Sequence, residues 1–253
     1  MKYTIHLLTF TYATLFVQSA VQAELINNGS LELFSAGIPD SWTYNNEIFG
    51  PTTVESSINS PFGTGVKSAR LEDALATNAN PRLTQSFSPT SPSGGLSVAF
   101  DFFLDDNDIS DNTGWFVALV SNFSFKTLAQ INRNSELRIP DVANIPISGN
   151  KWYRYEAEIT VGAFNRFTLD GTLTPFGGQA IAFSGTQGVH AAAYDSLQFG
   201  DDTATNSLAS PIHFDDVSLS VSAVPEPSSI AIVTFVGVCA GLTRSRAVKR
   251  RRK

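Results

Sequence analysis

Glu156 and Glu158 stand two residues apart in the stretch Trp152-Tyr153-Arg154-Tyr155-Glu156-Ala157-Glu158-Ile159. On a β-strand that spacing puts both carboxylates on one face, with Cα atoms about 6.5–7 Å apart. A carboxylate pair sharing a face is the machinery of glycoside hydrolysis, one group acting as acid and the other as base or nucleophile. Tyr155, Ala157 and Ile159 alternate with the two acids, however, as in a strand that buries one side and leaves its charges in water. The rest of a catalytic vocabulary is missing. After position 23 the histidines are His190 and His213, and no G-x-S-x-G or H-E-x-x-H occurs, so no nucleophile with an organised base is visible. No catalytic residue is assigned, and the chain reads as a protein without catalysis.

Two other groupings carry chemistry. Asp105, Asp106, Asn107, Asp108 and Asp111 concentrate oxygen ligands of the kind Ca²⁺ takes. They lack the EF-hand spacing and its central Gly, and read as a solvated acidic turn. Trp42, with Tyr44 two residues on, lies between turn-formers and offers an aromatic face to a sugar ring; both are ligand-binding candidates. Trp115 and Trp152 sit in apolar, β-rich runs and read as core.

These residues need strands to hold them. Between 24 and 223 no long stretch of helical period appears, and short runs of two-residue alternation recur between Gly, Pro, Asn, Asp and Ser clusters. Leu96, Val98, Phe100, Phe102 and Leu104 alternate with smaller or polar neighbours, and 115–120 is continuously apolar, as in a buried strand. Phe167-Thr168-Leu169-Asp170-Gly171-Thr172-Leu173-Thr174 predicts two short strands around an Asp-Gly turn. Residues 212–221 make a closing strand. About ten strands in some 200 residues predict an all-β fold, a two-sheet antiparallel β-sandwich of jelly-roll type, in one domain over 24–223.

The ends differ from this body. Lys2, a charge-free apolar stretch over 5–17 and Val21-Gln22-Ala23 predict a signal peptide, helical, over 1–23. Residues 230–243 are uncharged and mostly apolar, a marginal transmembrane helix, and 244–253 carry seven of the chain's 17 basic residues. The positive-inside rule places that basic tail in the cytoplasm. The body holds nine basic and 22 acidic residues, a formal net charge of −13, which opposes binding to nucleic acid and to anionic membrane surfaces. Cys239, in the apolar run, is the chain's one cysteine, so the body forms no disulfide.

Val224-Pro225-Glu226-Pro227-Ser228-Ser229, the apolar run and the terminal Arg cluster resemble, in order, the PEP-CTERM sorting signal of exopolysaccharide-producing Gram-negative bacteria. That resemblance, over 224–253, implies that Val224, Pro225, Glu226 and Pro227 are recognised by an exosortase. The chain would pass through the inner membrane and end at the cell surface or in the extracellular matrix. The body resembles galactose-binding-like carbohydrate-binding modules in Asn28-Gly29-Ser30-Leu31-Glu32, Ile38-Pro39-Asp40-Ser41-Trp42, Arg82-Leu83-Thr84-Gln85-Ser86-Phe87, the Trp152 strand and Phe214-Asp215-Asp216-Val217-Ser218-Leu219. The Trp152 strand suits a laminin-G or concanavalin-like sandwich equally, so the resemblance is divided between two jelly-roll types. It implies a structural Ca²⁺ held by Glu32 and by Asp215 or its neighbour Asp216. A structural or adhesive protein that binds extracellular polysaccharide is the expectation. A matrix protein without specific ligand and a polysaccharide-active enzyme are the alternatives.

Overall fold

Along 96–104 every second side chain is buried: Leu96, Val98, Phe100, Phe102 and Leu104 all face the interior. That alternation, repeated from strand to strand, builds two stacked sheets. The computed structural model describes residues 23–45, 54–72, 81–105, 114–121, 124–132, 136–189, 191–201 and 211–221. The predicted signal peptide up to residue 22, the motif Val224 to Pro227, the apolar run and the basic tail lie outside them, as do Asp106, Asn107, Asp108, Asp111 and His190.

Among the described residues the strands are β1 (Ala23–Glu24), β2 (Phe34–Ser35), β3 (Ile38–Pro39), β4 (Thr43–Asn45), β5 (Glu55–Ser56), β6 (Ser68–Leu71), β7 (Arg82–Thr90) and β8 (Leu96–Leu104). They continue with β9 (Gly114–Ser121), β10 (Ser124–Asn132), β11 (Glu136–Ile139), β12 (Ala143–Pro146), β13 (Trp152–Val161), β14 (Arg166–Pro175), β15 (Ile181–Val189), β16 (Tyr194–Asp201) and β17 (Ile212–Val221). No α-helix lies among the described residues.

One sheet has the order β15-β14-β13-β8-β17-β6-β5, with β1 added to β17, and the other β12-β11-β10-β9-β16-β7-β4. Every pairing is antiparallel. The chain crosses between sheets at β4–β5, β6–β7, β7–β8, β8–β9, β12–β13, β15–β16 and β16–β17, the crossover habit of a jelly roll. The all-β sandwich read from the sequence is the fold observed.

Aromatic rings fill the interior. Phe199 of the seven-stranded sheet meets Phe214 of the eight-stranded sheet at 4.4 Å between centroids and Phe100 at 5.8 Å. Phe100 stacks on Tyr155 at 4.7 Å. Trp115 is core, as expected, and Trp152 is buried against Phe103.

The Asp-Gly hairpin is not there. Residues 166–175 form one continuous strand, and the reversal comes later, around Phe176 and Gly177, where Gly177 has φ +70. Gly171 serves space instead of a turn. A Cβ there would lie 2.2 Å from the Glu156 carbonyl oxygen and 2.5 Å from the Phe183 ring. Gly171→Ala should therefore destabilise the domain by about 1–3 kcal/mol through overpacking, lowering the melting temperature by roughly 2–12 °C. A differential-scanning trace unchanged from wild type would show that the ring moves freely.

Candidate functional site

The outward side chains of β8, β13 and β17 fall in cross-strand rows, because Arg154 pairs with Asp101 and Asp101 with Asp215 in the register. On a solvent-facing sheet such residues would be wet. Here Asp101 has no exposed surface and Asp215 is 2% exposed, because residues 57–67 cross the sheet as a strap. Ser60 is the contact that fixes it. Its N–H donates to Asp215 Oδ2 at 2.9 Å and its hydroxyl to Asp101 Oδ2 at 2.5 Å. Arg154 supplies the counter-charge, donating to both Asp101 oxygens at 2.7 and 3.0 Å and to Asp216 Oδ2 at 3.1 Å. The Phe62 ring of the strap lies over the guanidinium at 5.0 Å and meets Phe176 edge-on.

Asp216 reaches this cluster through a bulge. The β17–β8 register shifts between Asp215 and Ser218, and Asp216 takes a φ of +44, a left-handed conformation that a non-glycine residue holds only under support. Gly63 leaves the necessary room, since a Cβ there would lie 2.1 Å from Asp216 Oδ2.

Glu32 holds the same strap further along, accepting the N–H groups of Val66 and Lys67 at 2.7 and 3.0 Å. Glu32, Asp215 and Asp216, expected from the resemblance to hold Ca²⁺, thus all engage residues 57–67 or Arg154. Asp215 spends both oxygens on N–H donors, the second being Asp216 N–H at 2.8 Å. Asp216 faces a guanidinium. In this structure Asp215 accepts N–H groups at both oxygens, Glu32 accepts two at Oε1, and Asp216 Oδ2 faces the Arg154 guanidinium, so hydrogen donors meet all three carboxylates. No cluster of three or more potential metal-ligating His, Cys, Asp or Glu side chains occurs among the described residues.

The polar face continues past the strap into an open trough of about 400 Å³. Ser97, Glu156, Glu158, Asp170, Thr172 and Ser218 line it, with the backbone of Gly171 in its floor. Glu158 lies directly across from Asp170, and Glu156 from Thr172. Two carboxylates opposed on one face repel each other and cost stability. The Ser184 hydroxyl donates to Asp170. Sequence spacing pairs Glu156 with Glu158; Asp170 joins them only through strand register, which local spacing does not reveal.

Trp42 is placed differently from its expectation. It is 6% exposed, its ring packs on Phe199 at 5.7 Å, and its indole N–H donates to the Asn28 carbonyl. Its sugar-stacking face is therefore inside the sandwich. Tyr44 is half-buried on the edge strand β4, against the core. Gln85, part of the quoted resemblance, is buried and structural: its amide accepts from Asn27 N–H and donates to the carbonyls of Asn27 and Ser41.

No family model matches the chain, and no curated protein matches it. Among solved structures, peanut lectin with a 9mer peptide aligns with a TM-score of 0.48 at 11% identity, over 81% of this chain and 99% of that one. A Lotus tetragonolobus seed lectin gives 0.47 at 9%, over 82% and 100%. The PL-14 alginate lyase from Aplysia kurodai gives 0.48 at 9%, over 65% and 87%. At such scores and identities these likenesses assign neither an activity nor a site.

Burial pushes the Asp215 carboxyl from its usual 3.8 up to about 7, with Asp216 and Asp101 adding to the rise and the two N–H donors opposing it. Between those values the folded chain keeps a proton that the unfolded chain has lost, so this group's contribution to stability falls as pH rises from about 4 to 7. Burial lowers His213 to about 4, which acts in the opposite sense below 6.5. Comparison with Asp215→Asn isolates the carboxyl. The difference in melting temperature should shift toward the variant by roughly 3–10 °C between pH 4 and 8. A constant difference across that range would contradict it.

Proposed function

We propose that this chain is an exported cell-surface or matrix protein of structural and adhesive function, which binds carbohydrate in the trough on its eight-stranded sheet. The trough carries this reading: a row of exposed carboxylates and hydroxyls on a rigid floor, shaped as an open channel. Carboxylates accept hydrogen bonds from sugar hydroxyls, and charge-assisted bonds of this kind are the strong ones. Phe176, exposed at the strap end of the same sheet face, offers an apolar ring beyond the polar floor. The acidic lining suits neutral or amino-sugar polymers and repels polyanionic ones. Binding is favoured over hydrolysis because Glu156, Glu158 and Asp170 all stand exposed, without the enclosing wall that excludes water from a reacting centre.

Glu158→Ala and Asp170→Ala should each weaken binding to a neutral polysaccharide about tenfold, the loss of one charge-assisted hydrogen bond. Their melting temperatures should hold or rise, since each relieves the opposed charges. Isothermal titration checks both. Equal affinity in wild type and variants would remove the site from the trough. Release of reducing ends by wild type but not by Glu156→Gln would replace binding with hydrolysis.

The route to the surface belongs to the same reading. The signal-like N-terminus, the Val224-Pro225-Glu226-Pro227 motif, the apolar run and the basic tail support export, a stage in the inner membrane and exosortase sorting in a Gram-negative host. Mass spectrometry of protein recovered from the surface should find a chain beginning at Glu24 and ending near Pro227. Recovery of peptides containing the 244–253 tail would instead mean a retained anchor.

A further inference from the structure

Each sheet edge exposes a row of backbone donors and acceptors, a template for pairing that proteins ordinarily blunt. Among the described residues, three of the four strands that end the two sheet paths are blunted by length. β5 has two residues, β4 three, and β12 four, the last being Pro146. The fourth is β15, nine residues long, which among the described residues pairs with β14 alone in the sheet. Its sequence, Ile181-Ala182-Phe183-Ser184-Gly185-Thr186-Gln187-Gly188-Val189, contains no charge and no Pro. Val142 backs Gly185, where a Cβ would lie 2.9 Å from its methyl. At the far end the Lys126 amine takes the Gly188 carbonyl at 3.1 Å. The stretch from Ile181 to Gln187 remains.

We propose that two copies of this chain join through antiparallel β15–β15 pairing about a two-fold axis, continuing the eight-stranded sheet from one copy into the other. A second copy fits for reasons of charge and of symmetry. The body carries −13, so most self-contacts would oppose like charges. Ala182, Ser184 and Thr186, exposed and uncharged on β15, meet their own counterparts without any. An isologous pair also brings opposite strand ends together. Ile181 and Phe176, 41% and 51% exposed, mark one end of β15. Phe164, 90% exposed with a φ of +60, lies in the turn before β14, toward the other end, where Arg166 pairs with Val189. Two-fold pairing carries the Phe164 of each copy to the end of the joined sheet that holds the other's Ile181 and Phe176.

The chain's single cysteine makes the test direct. In the full chain with Cys239→Ser, single cysteines are introduced as Ala182→Cys, Ser184→Cys and Thr186→Cys, with Leu33→Cys, also exposed, as control. After mild oxidation, at least one β15 position should run as a disulfide-linked dimer on a non-reducing gel, at least tenfold above the control. Adding Thr186→Lys to whichever position crosslinks, or Ala182→Lys where position 186 carries the cysteine, should abolish that band while the circular-dichroism melt is unchanged. Salt should strengthen the band by screening the net charge. Crosslinking no greater than the control, or crosslinks only to a different protein, would overturn self-pairing.

Discussion

Asp101 is a carboxylate without solvent, placed by strand register on the side of the sheet that should be wet. Burying a lone charge costs several kcal/mol unless it is paired and hydrogen-bonded. Much of the outer face follows from that requirement. Arg154 lies opposite in register and reaches both oxygens. Ser60 adds a hydroxyl, which anchors the strap, and the strap in turn buries Asp215 and holds Phe62 over the guanidinium. Truncating a buried pair on one side leaves the other charge stranded, typically at about 3–5 kcal/mol. The cluster therefore acts as a unit, and it fixes where the covered half of the face ends and the open trough begins.

Carboxylates do similar service elsewhere. Glu24 accepts N–H groups from Ile26 and Leu219, tying the first strand to the last. Glu32 holds the strap at Val66 and Lys67. These contacts join residues far apart in the chain, the role cross-links serve in many exported domains. The strongly acidic body is thus part architecture: several of its charges are fasteners on backbone N–H groups, and others, in the trough, stay exposed.

The sandwich was legible because its signal is local. Alternation in Leu96 to Leu104 and the run around Trp115 declare strands without knowledge of their partners. Local rules failed where a long-range neighbour decided. Asp170-Gly171 has the composition of a turn, yet Phe183, brought alongside by the next strand, needs the space a side chain would fill. Trp42 sits among turn-formers, yet Phe199, more than 150 positions later, gives it a buried face. The strap cluster was half visible. The resemblance points to Asp215 and Asp216, but Asp101, Arg154 and Ser60 meet them only through pairings that no short window contains.

The fasteners have one more consequence. A domain closed by disulfides must reach an oxidising compartment before it can finish folding, and reductants can open it. Here the only sulfhydryl in the chain is Cys239, outside the described residues. Its closure needs no oxidase and no isomerase. The sandwich can assemble at any redox potential and keep its shape when that potential changes.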